Sequence, residues 1–415
     1  MDFGIWALTF DIDLSFGFYH LDLTMISLSR IKRLSQIALT EPAYLGEQIR
    51  VRLLQRLNLG LSNLSGGYSF ALRKLWLVLT YRCNLRCKMC GQWGEKGRSK
   101  EFSKETLEQE LSLEELKKVI DDVSSFKPSI MLMGGEPLLY KDWHKLAKYI
   151  KEKKLRSEMT TNGMLLKENA LEIVKNIDNL NVSLDGPPKV NDEIRGVKGA
   201  FWRVIEGIKL VNETKKRLNA GKPYLNICCT ISSENYQYLK EMVNLLEKER
   251  ISLDLLLFQH LEFVNLPTLE ENEKVWEEEF GVRSDYWRAI SGSSGKVEVS
   301  LLLKEIAEVR RDKSANVRCL LFEPDFNEEE IRDFYKGRAL QRFKQKCFAP
   351  WLEAFIYPEG NVWSCPGLVM GNVGEESLKT IWNEEKFRHL RRVLNQRKFF
   401  PVCSCCANHW HNWSG

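Results

Sequence analysis

Between residues 75 and 258 the chain alternates short apolar segments with longer amphipathic ones. Six segments have the length and apolar content of buried strands, namely 75–80, 129–133, 156–160, 179–184, 225–231 and 251–258. Apolar residues recur at helical spacing in the segments between them, which are 113–125, 140–153, 166–176, 200–217 and 236–249. Strands that alternate with helices form right-handed βαβ units around a parallel sheet. Six units are too few for a closed eight-stranded barrel, so the sequence predicts an α/β fold, a partial (β/α)6 TIM-like barrel with function at the carboxyl ends of its strands.

The rest of the chain divides into three parts around this barrel, which we place at 71–265. Residues 1–70 form an N-terminal amphipathic extension, predicted to be helical. Residues 266–345 begin acidic and contain the Ser/Gly loop 291–295, so we interpret them as an insert or linker. Residues 346–415 contain a second group of cysteines and form a small Cys-rich module.

Eleven cysteines in 415 residues are too sparse for a secreted disulfide scaffold, and they cluster at 83–90 and 403–406. Clustered cysteines in a chain of this size predict metal binding in a reducing cytoplasm. The formal net charge of +5 does not call for a nucleic-acid partner, and we expect none. The first 25 residues lack Lys and Arg, and no apolar run reaches 18 residues, so we expect neither a secretory signal nor a spanning helix.

Cys83, Cys87 and Cys90 follow the first predicted strand directly. Three thiolates on one loop can bind three irons of a cubane, which leaves the fourth iron open to an external ligand. A zinc site with one remote ligand is the alternative.

Gly134, Gly135, Glu136 and Pro137 close the second predicted strand. Glycines at a strand end allow the backbone to approach a ligand closely, although this segment alone predicts only a Gly-Pro turn. Combined with the C-x₃-C-x₂-C motif after the first strand, it resembles the radical S-adenosylmethionine (SAM) superfamily. The resemblance covers roughly residues 75–260.

That resemblance implies a [4Fe–4S] cluster that binds SAM through its amino and carboxylate groups. Gly134, Gly135, Glu136 and Pro137 would hold the amino group, Ser183 would contact the ribose, and Arg195 would pair with the carboxylate through its planar guanidinium. Without the resemblance, Ser183 and Arg195 are an ordinary strand serine and a surface arginine. Met89 stands where the family usually has an aromatic residue, and its thioether can still pack on the adenine. Thr161-Asn162-Gly163 resembles a common turn of the family.

The C-terminal module resembles the SPASM/twitch extensions of radical SAM enzymes. The resemblance implies one auxiliary [4Fe–4S] cluster on Cys347, Cys365, Cys403 and Cys406. A Cys₄ zinc site is the alternative, and Cys405 competes for a place in the ligand set. We expect the adjacent Cys228 and Cys229 to face opposite sides of a strand and to serve packing. His260, which closes the sixth strand, is expected to have a packing or polar-cap role.

The resemblance also implies the chemistry. SAM is cleaved reductively to a 5′-deoxyadenosyl radical, which abstracts a hydrogen atom from a substrate C–H bond. The auxiliary cluster then assists oxidation or bond formation, in peptide or protein maturation or in small-molecule dehydrogenation. The expected partners are a substrate peptide or small molecule and a reductase or a ferredoxin- or flavodoxin-type electron donor.

The sequence leaves two alternative functions open. The basic amphipathic segment 26–58 favours a peripheral membrane contact and a radical SAM enzyme that acts on a membrane lipid. A non-catalytic iron–sulfur or zinc protein is the other alternative, although it would not need Glu136, Ser183 and Arg195 together.

Overall fold

The computed structural model describes residues 64–292, 296–311, 316–338, 340, 343–344 and 346–412, together with Leu57 and Leu61. Apart from Leu57, the predicted amphipathic segment 26–58 lies outside the described residues. Within the described part of the chain, no helix has both the length and the apolar content needed to cross a bilayer.

Among the described residues, ten strands form one sheet in the spatial order β10-β9-β8-β1-β2-β3-β4-β5-β6-β7. They are β1 Lys74–Val78, β2 Ser129–Met133, β3 Arg156–Thr161, β4 Asn179–Ser183, β5 Tyr224–Ile231, β6 Leu253–His260, β7 Val317–Glu323, β8 Glu353–Ile356, β9 Asn361–Trp363 and β10 Val369–Asn372. Pairing is parallel from β8 through β1 to β7 and antiparallel among β8, β9 and β10. All six predicted strands are therefore confirmed, with bounds that differ by a few residues.

The helices connect and cover these strands. They are Lys104–Glu108, Leu113–Val123, Trp143–Glu152, Leu166–Asn176, Pro188–Arg195, Ala200–Arg217, Leu239–Lys248, Leu266–Phe280, Asp285–Ala289, Val299–Arg311, Glu328–Tyr335, Ala349–Leu352, Leu378–Ile381, Glu385–Arg397 and Ala407–Asn412. The five predicted helices are confirmed. Their apolar stripes pack on the outer face of the sheet, as Leu116, Ile120 and Val123 do from the first long helix.

Residues 266–345 do more than link two parts of the chain. This segment supplies β7, which pairs in parallel with β6 from Leu253↔Val317 to Gln259↔Glu323. β8 from the Cys-rich module pairs in parallel with β1 on the other side. The parallel sheet thus extends beyond the six predicted strands in both directions.

The sheet has two distinct faces. The outer face contributes to the main core with the helices, and Cys229 belongs to it. The inner face carries a separate apolar group around Leu255 and Leu257, against which Cys228 and Cys319 pack. This arrangement confirms that Cys228 and Cys229 face opposite sides of β5.

Candidate functional site

The loop that carries Cys83, Cys87 and Cys90 begins just beyond β1. Lys88 N donates to Ile194 O at 2.9 Å, which ties the loop to the helix Pro188–Arg195. Cys87 is buried, the other two cysteines are half-buried, and all three are free thiols. The loop therefore presents three sulfur donors at the carboxyl edge of the sheet.

The two glycines after β2 let that loop pack directly on the backbone that precedes Cys83. Gly135 N donates to Thr80 O at 2.8 Å, and Glu136 N donates to Arg82 O at 2.9 Å. A Cβ on Gly135 would lie 2.2 Å from Arg82 O, far inside contact distance. The close approach that we predicted for these glycines is thus made to the cysteine loop of the chain itself.

Glu136 is fully buried and connects the loops after β2 and β3. Its carboxylate accepts hydrogen bonds from Thr161 Oγ1 at 2.7 Å, Asn162 N at 2.8 Å and Leu138 N at 3.1 Å. Burial raises the pKa of Glu136 to about 7, although these three donors favour its charged form. Pro137 begins the short 3₁₀ helix Pro137–Leu139 that follows.

Asn162 links the loop after β3 to the first cysteine. Its Nδ2 donates to Asn84 Oδ1 at 2.7 Å and lies 3.7 Å from Cys83 Sγ. The sequence indicated only a family turn at this position. The available signal was the place of Asn162 immediately after a strand, at the edge where the cysteines lie.

Arg195 reaches the same loop from the end of its helix. Its Nη1 donates to Cys87 Sγ at 3.6 Å, and its guanidinium pairs with the buried carboxylate of Asp185. Although burial opposes the charge, Asp185 and Cys87 raise the pKa of Arg195. The structure thus brings Arg195 to the cysteine loop, and its pairing with the SAM carboxylate stays a prediction. Asp185 was not predicted as a site residue, and the available signal was its position shortly after β4.

Ser183 ends β4 on the inner face of the sheet, opposite Cys228 in the strand register. It is half-buried. No side chain or backbone group among the described residues hydrogen-bonds its hydroxyl, which is therefore available to a ligand.

Each of the three sulfurs accepts a hydrogen bond, which would stabilise it as a thiolate. Leu85 N donates to Cys83 Sγ and Gln92 N donates to Cys90 Sγ, both at 3.4 Å. Arg195 Nη1 is the corresponding donor to Cys87 Sγ. Burial raises the pKa of Cys83 to about 11 and raises that of Cys87, so these thiols require a cationic partner to ionise at neutral pH. Iron supplies that charge, and hydrogen bonds to sulfur are characteristic of cluster ligands. The donor set therefore fits an iron–sulfur cluster.

The second cysteine group assembles from three segments. Cys347 precedes the helix Ala349–Leu352, Cys365 follows β9, and Cys403 and Cys406 lie at the short helix Pro401–Cys405. A hydrogen bond from Cys403 holds the pKa of Cys347 well below its usual range. The same hydrogen bond to Cys347 and burial raise the pKa of Cys403, and charge interactions with Cys347, Cys406 and Cys365 add to the shift, so these four groups lie near one another in a buried site. The structure brings together the four cysteines that the resemblance implied.

The contact of the Cys405 sulfur is with Ser404 Oγ, at 3.6 Å, rather than with another cysteine. Burial and the nearby Glu262 raise the pKa of both Cys405 and Cys406. Among the described residues no three Cys, His, Asp or Glu side chains are spaced to hold a single metal ion. A tetrahedral zinc site draws four sulfurs to about 2.3 Å from one ion, whereas a cubane distributes its ligands over four irons.

His260 has the packing role that we expected. It is buried against Phe326 and Phe334, and its Nδ1 is 2.9 Å from Tyr335 Oη. Burial lowers the pKa of His260 to about 3, so the ring is neutral.

Comparison with known proteins agrees with this architecture. Residues 77–246 match the radical SAM superfamily, and residues 347–407 match SPASM, an iron–sulfur cluster-binding domain. The chain is 31% identical over 353 residues to an AdoMet-dependent heme synthase from Nitratidesulfovibrio vulgaris, covering 80% of this chain and 84% of that protein.

Two further matches differ in extent. A Fe-coproporphyrin III synthase from Methanosarcina barkeri is 35% identical over 204 residues, which span 48% of this chain and 47% of that relative. The crystal structure of Streptococcus suis SuiB bound to S-adenosylmethionine shares the fold, with a TM-score of 0.54 and 17% identity over 91% of this chain and 83% of that one.

The match to the heme synthase from Nitratidesulfovibrio vulgaris, by its length and identity, and the two domain matches together establish the family and its cofactors. These cofactors are SAM, a [4Fe–4S] cluster and an auxiliary iron–sulfur cluster. The chain belongs to the radical SAM superfamily and is a SAM-dependent enzyme with a C-terminal SPASM module.

Proposed function

We propose that this enzyme cleaves SAM reductively at a [4Fe–4S] cluster bound by Cys83, Cys87 and Cys90, and uses the 5′-deoxyadenosyl radical to remove a hydrogen atom from a substrate C–H bond. The observation that carries the proposal is the position of Arg195. Its Nη1 lies against Cys87, while its buried Nε has no hydrogen-bond partner among the described residues. A buried, unused guanidinium donor beside the cysteine loop suits a carboxylate ligand.

The remaining roles are those that the family resemblance implies. The backbone of Gly134–Pro137 would hold the SAM amino group, with Glu136 as the buried carboxylate behind it. Ser183 would bind the ribose through its unused hydroxyl. Asp185 orients Arg195 and offsets its charge. When bound, the reduced cluster supplies the electron that breaks the SAM C–S bond.

The inner face of the sheet offers a mixed surface for the substrate. Asn226 Nδ2 donates to Asn179 Oδ1 at 2.7 Å and to Asn181 Oδ1 at 2.8 Å. On the same side Lys74 and Glu158 form a buried ion pair at 3.0 Å. Asn179 Nδ2 and Glu158 Oε1 are buried and have no hydrogen-bond partner in the part of the chain that the structure describes, so polar groups remain for a ligand or for water. Apolar surface comes from Leu255 and Leu257 on the neighbouring strand β6, where Leu255 is the register partner of Asn226.

We further propose a tetrapyrrole as the substrate. Both relatives described above are named for iron porphyrin or heme synthesis. A tetrapyrrole combines a flat apolar ring with polar carboxylates, which suits an inner face that is apolar on β6 and polar on β3 and β4. The auxiliary cluster on Cys347, Cys365, Cys403 and Cys406 would accept an electron from the substrate radical. A reductase or a ferredoxin- or flavodoxin-type protein would supply the electron for SAM cleavage.

An anaerobic assay with dithionite tests the cleavage step. The wild-type protein should convert SAM to 5′-deoxyadenosine and methionine, as measured by mass spectrometry. Cys87→Ala should abolish the reaction, whereas Cys228→Ala, which removes a thiol outside the cysteine loop, should retain it. An iron-loaded wild-type protein that yields no 5′-deoxyadenosine would refute the proposal.

The substrate class is tested separately with iron coproporphyrin III and with an unrelated peptide of comparable mass. With iron coproporphyrin III we expect faster formation of 5′-deoxyadenosine and a porphyrin product of changed mass. SAM cleavage without any effect of the porphyrin would retain the radical chemistry and reject the substrate class.

The membrane-lipid alternative depends on residues 26–58, almost all of which lie outside the described residues. Co-sedimentation with anionic vesicles at low and at physiological ionic strength tests it, since surface attraction is screened by salt.

A further inference from the structure

Arg98 lies on the segment that follows the cysteine loop, where it begins the short 3₁₀ helix Arg98–Glu101. Its backbone N donates to the carbonyl oxygen of Gly91, the residue directly after Cys90, at 3.2 Å. The next backbone N–H of the helix donates to Gln92 O at 2.9 Å. The backbone of Arg98 is therefore held in place relative to the cysteine loop.

Three aromatic rings contact the guanidinium of Arg98. Its Cζ lies 4.8 Å from the ring centroid of Trp363, 4.9 Å from that of Tyr357 and 5.8 Å from that of Tyr81. The ring of Tyr357 also contacts the rings of Trp363 and Tyr81, at centroid distances of 4.1 and 6.3 Å. Cation–π contacts of this kind are attractive and hold the charge against the rings.

The three rings come from both cysteine-bearing parts of the molecule. Tyr81 lies two residues before Cys83, whereas Trp363 ends β9 two residues before Cys365. The last residues of β1 and β2 pack in the same aromatic cluster, which places it at the carboxyl edge of the sheet. Arg98 thus lies between the segment that carries the SAM-cluster cysteines and the segment that carries an auxiliary cysteine.

Among the described residues, Arg98 forms no ion pair with a carboxylate. Glu359 belongs to the same neighbourhood, but its two oxygens accept hydrogen bonds from Tyr81 Oη at 2.7 Å and from Asn361 Nδ2 at 3.0 Å. The guanidinium interacts with the Tyr357 hydroxyl, which does not neutralise its charge. Arg98 is only half-buried, and aromatic faces cannot accept all five N–H donors of a guanidinium. A planar fork of this kind suits a carboxylate that a ligand brings.

We propose that Arg98 binds a carboxylate of the substrate and holds it between the SAM-cleaving site and the auxiliary site. The inference rests on the proposed tetrapyrrole substrate, which combines carboxylates with a flat apolar ring. The rings of Tyr357 and Trp363 provide aromatic surface beside the cation for such a ring. The SAM carboxylate is assigned to Arg195, so a second carboxylate-binding arginine calls for a second ligand. A substrate held at Arg98 lies near the site that forms its radical and near the site that accepts its electron.

The test compares iron coproporphyrin III, whose carboxylates are free, with its tetramethyl ester in the same detergent-containing buffer. Binding to the iron-loaded full-length protein is measured from the change in porphyrin absorption. Arg98→Gln should weaken binding of the free acid about tenfold or more, because a charge-assisted hydrogen bond is lost, and should leave binding of the ester unchanged. Arg310→Gln is the matched control, because Arg310 also lies over an aromatic ring, that of Phe322 at 5.2 Å, but is paired with Asp325.

The two ligands and the affinity for SAM separate the ways in which the inference can fail. Wild-type protein that binds neither form would reject the tetrapyrrole substrate and, with it, this role of Arg98. Wild-type protein that prefers the free acid, with the same preference in Arg98→Gln, would reject Arg98 alone. Equal affinity of the two forms in the wild type, or equal weakening of both in the variant, would also reject it. A loss of SAM affinity with unchanged porphyrin binding would assign Arg98 to the SAM carboxylate and overturn the proposal.

Arg98→Lys replaces Arg98→Gln if the glutamine variant fails to bind iron. Lysine keeps a cation against the rings but lacks the planar fork of arginine. We expect a smaller loss of affinity for the free acid and no change for the ester. An undiminished preference for the free acid in Arg98→Lys would then reject the proposed contact.

Discussion

The most constrained charge in the candidate site is the guanidinium of Arg195. It is held between the carboxylate of Asp185 and the sulfur of Cys87, and all three groups are largely removed from water. A buried pair of this kind adds little net stability, because desolvation of the charges offsets their attraction. Its benefit is orientation, since it holds the remaining donor of Arg195 in one place.

Arg195→Lys should weaken SAM binding while it keeps the positive charge beside Asp185. A lysine cannot form the planar, bidentate contact, and a lost charge-assisted hydrogen bond corresponds to roughly 1.5–3 kcal/mol, or about 10- to 150-fold in Kd. Equilibrium binding of SAM to iron-loaded protein measures the effect. Arg203→Lys is the control, since Arg203 bonds Met164 O and Glu168 outside the site. Unchanged affinity in the Arg195→Lys variant would remove this side chain from the SAM site.

Glu136 should release a proton when SAM binds near pH 6. Burial raises its pKa to about 7, so the carboxyl is mostly protonated at pH 6 and mostly ionised at pH 8. An ammonium group nearby favours the carboxylate and lowers the pKa, which expels the proton. Calorimetry in buffers of different ionisation enthalpy counts the protons. We expect release at pH 6, little at pH 8 and none in Glu136→Gln, and equal release at both pH values would contradict the assignment.

The residues of the site differ in how far the sequence could predict them. Cys83, Cys87 and Cys90 were accessible because they share one loop, and Arg195 because the family resemblance places an arginine there. Asp185 and Asn162 were not assigned roles, because each gains its importance from a partner elsewhere in the chain, Arg195 for Asp185 and Cys83 for Asn162. The sequence around Asp185 or Asn162 does not show that such a partner exists. These contacts matter to the site because they form where water is largely excluded.

At the scale of elements, the alternation of strand and helix predicted six strands, but two more parallel strands extend the sheet. β7 was not predicted because Arg318 interrupts its apolar pattern and the segment around it is rich in charge. β8 is four residues long and was interpreted only as part of the cysteine module. Tertiary pairing with β6 and β1, rather than local propensity, determines both strands.

Gly135→Ala should disrupt the cysteine loop without unfolding the sheet. The added Cβ would lie 2.2 Å from Arg82 O and 2.6 Å from Tyr81 O, which are backbone atoms that cannot rotate away. Gly221→Ala is the matched control, because its Cβ would meet nothing within 4 Å. We expect iron binding at the first site to fall in Gly135→Ala while far-ultraviolet circular dichroism stays unchanged. Full iron content and normal SAM cleavage would contradict this account of the glycine.

At the scale of the whole molecule, the Cys-rich module and the barrel are joined by one continuous sheet. Glu353 of β8 accepts hydrogen bonds from Arg73 at 2.8 Å and from Trp76 Nε1 at 3.0 Å. Farther along the module, the buried Arg391 donates to Gly67 O at 3.1 Å and to Pro350 O at 2.8 Å. The module is therefore anchored to the first strand, whose end carries the SAM-cluster loop, and both cysteine sites share one scaffold.

The adjacent residues Cys405 and Cys406 provide the sharpest test of the two-site arrangement. Wild-type protein reconstituted without oxygen should bind about eight irons, as two four-iron clusters. Cys406→Ala should reduce this to about four, because the structure places Cys406 with Cys347 and Cys365. Cys405→Ala should keep about eight, since the side chain of Cys405 contacts Ser404 Oγ and no other cysteine contributes to its pKa shift. Iron and sulfide assays with Mössbauer spectroscopy measure both variants. Equal loss of iron in the two would place Cys405 in the ligand set, and zinc in place of iron would show that the second site is structural.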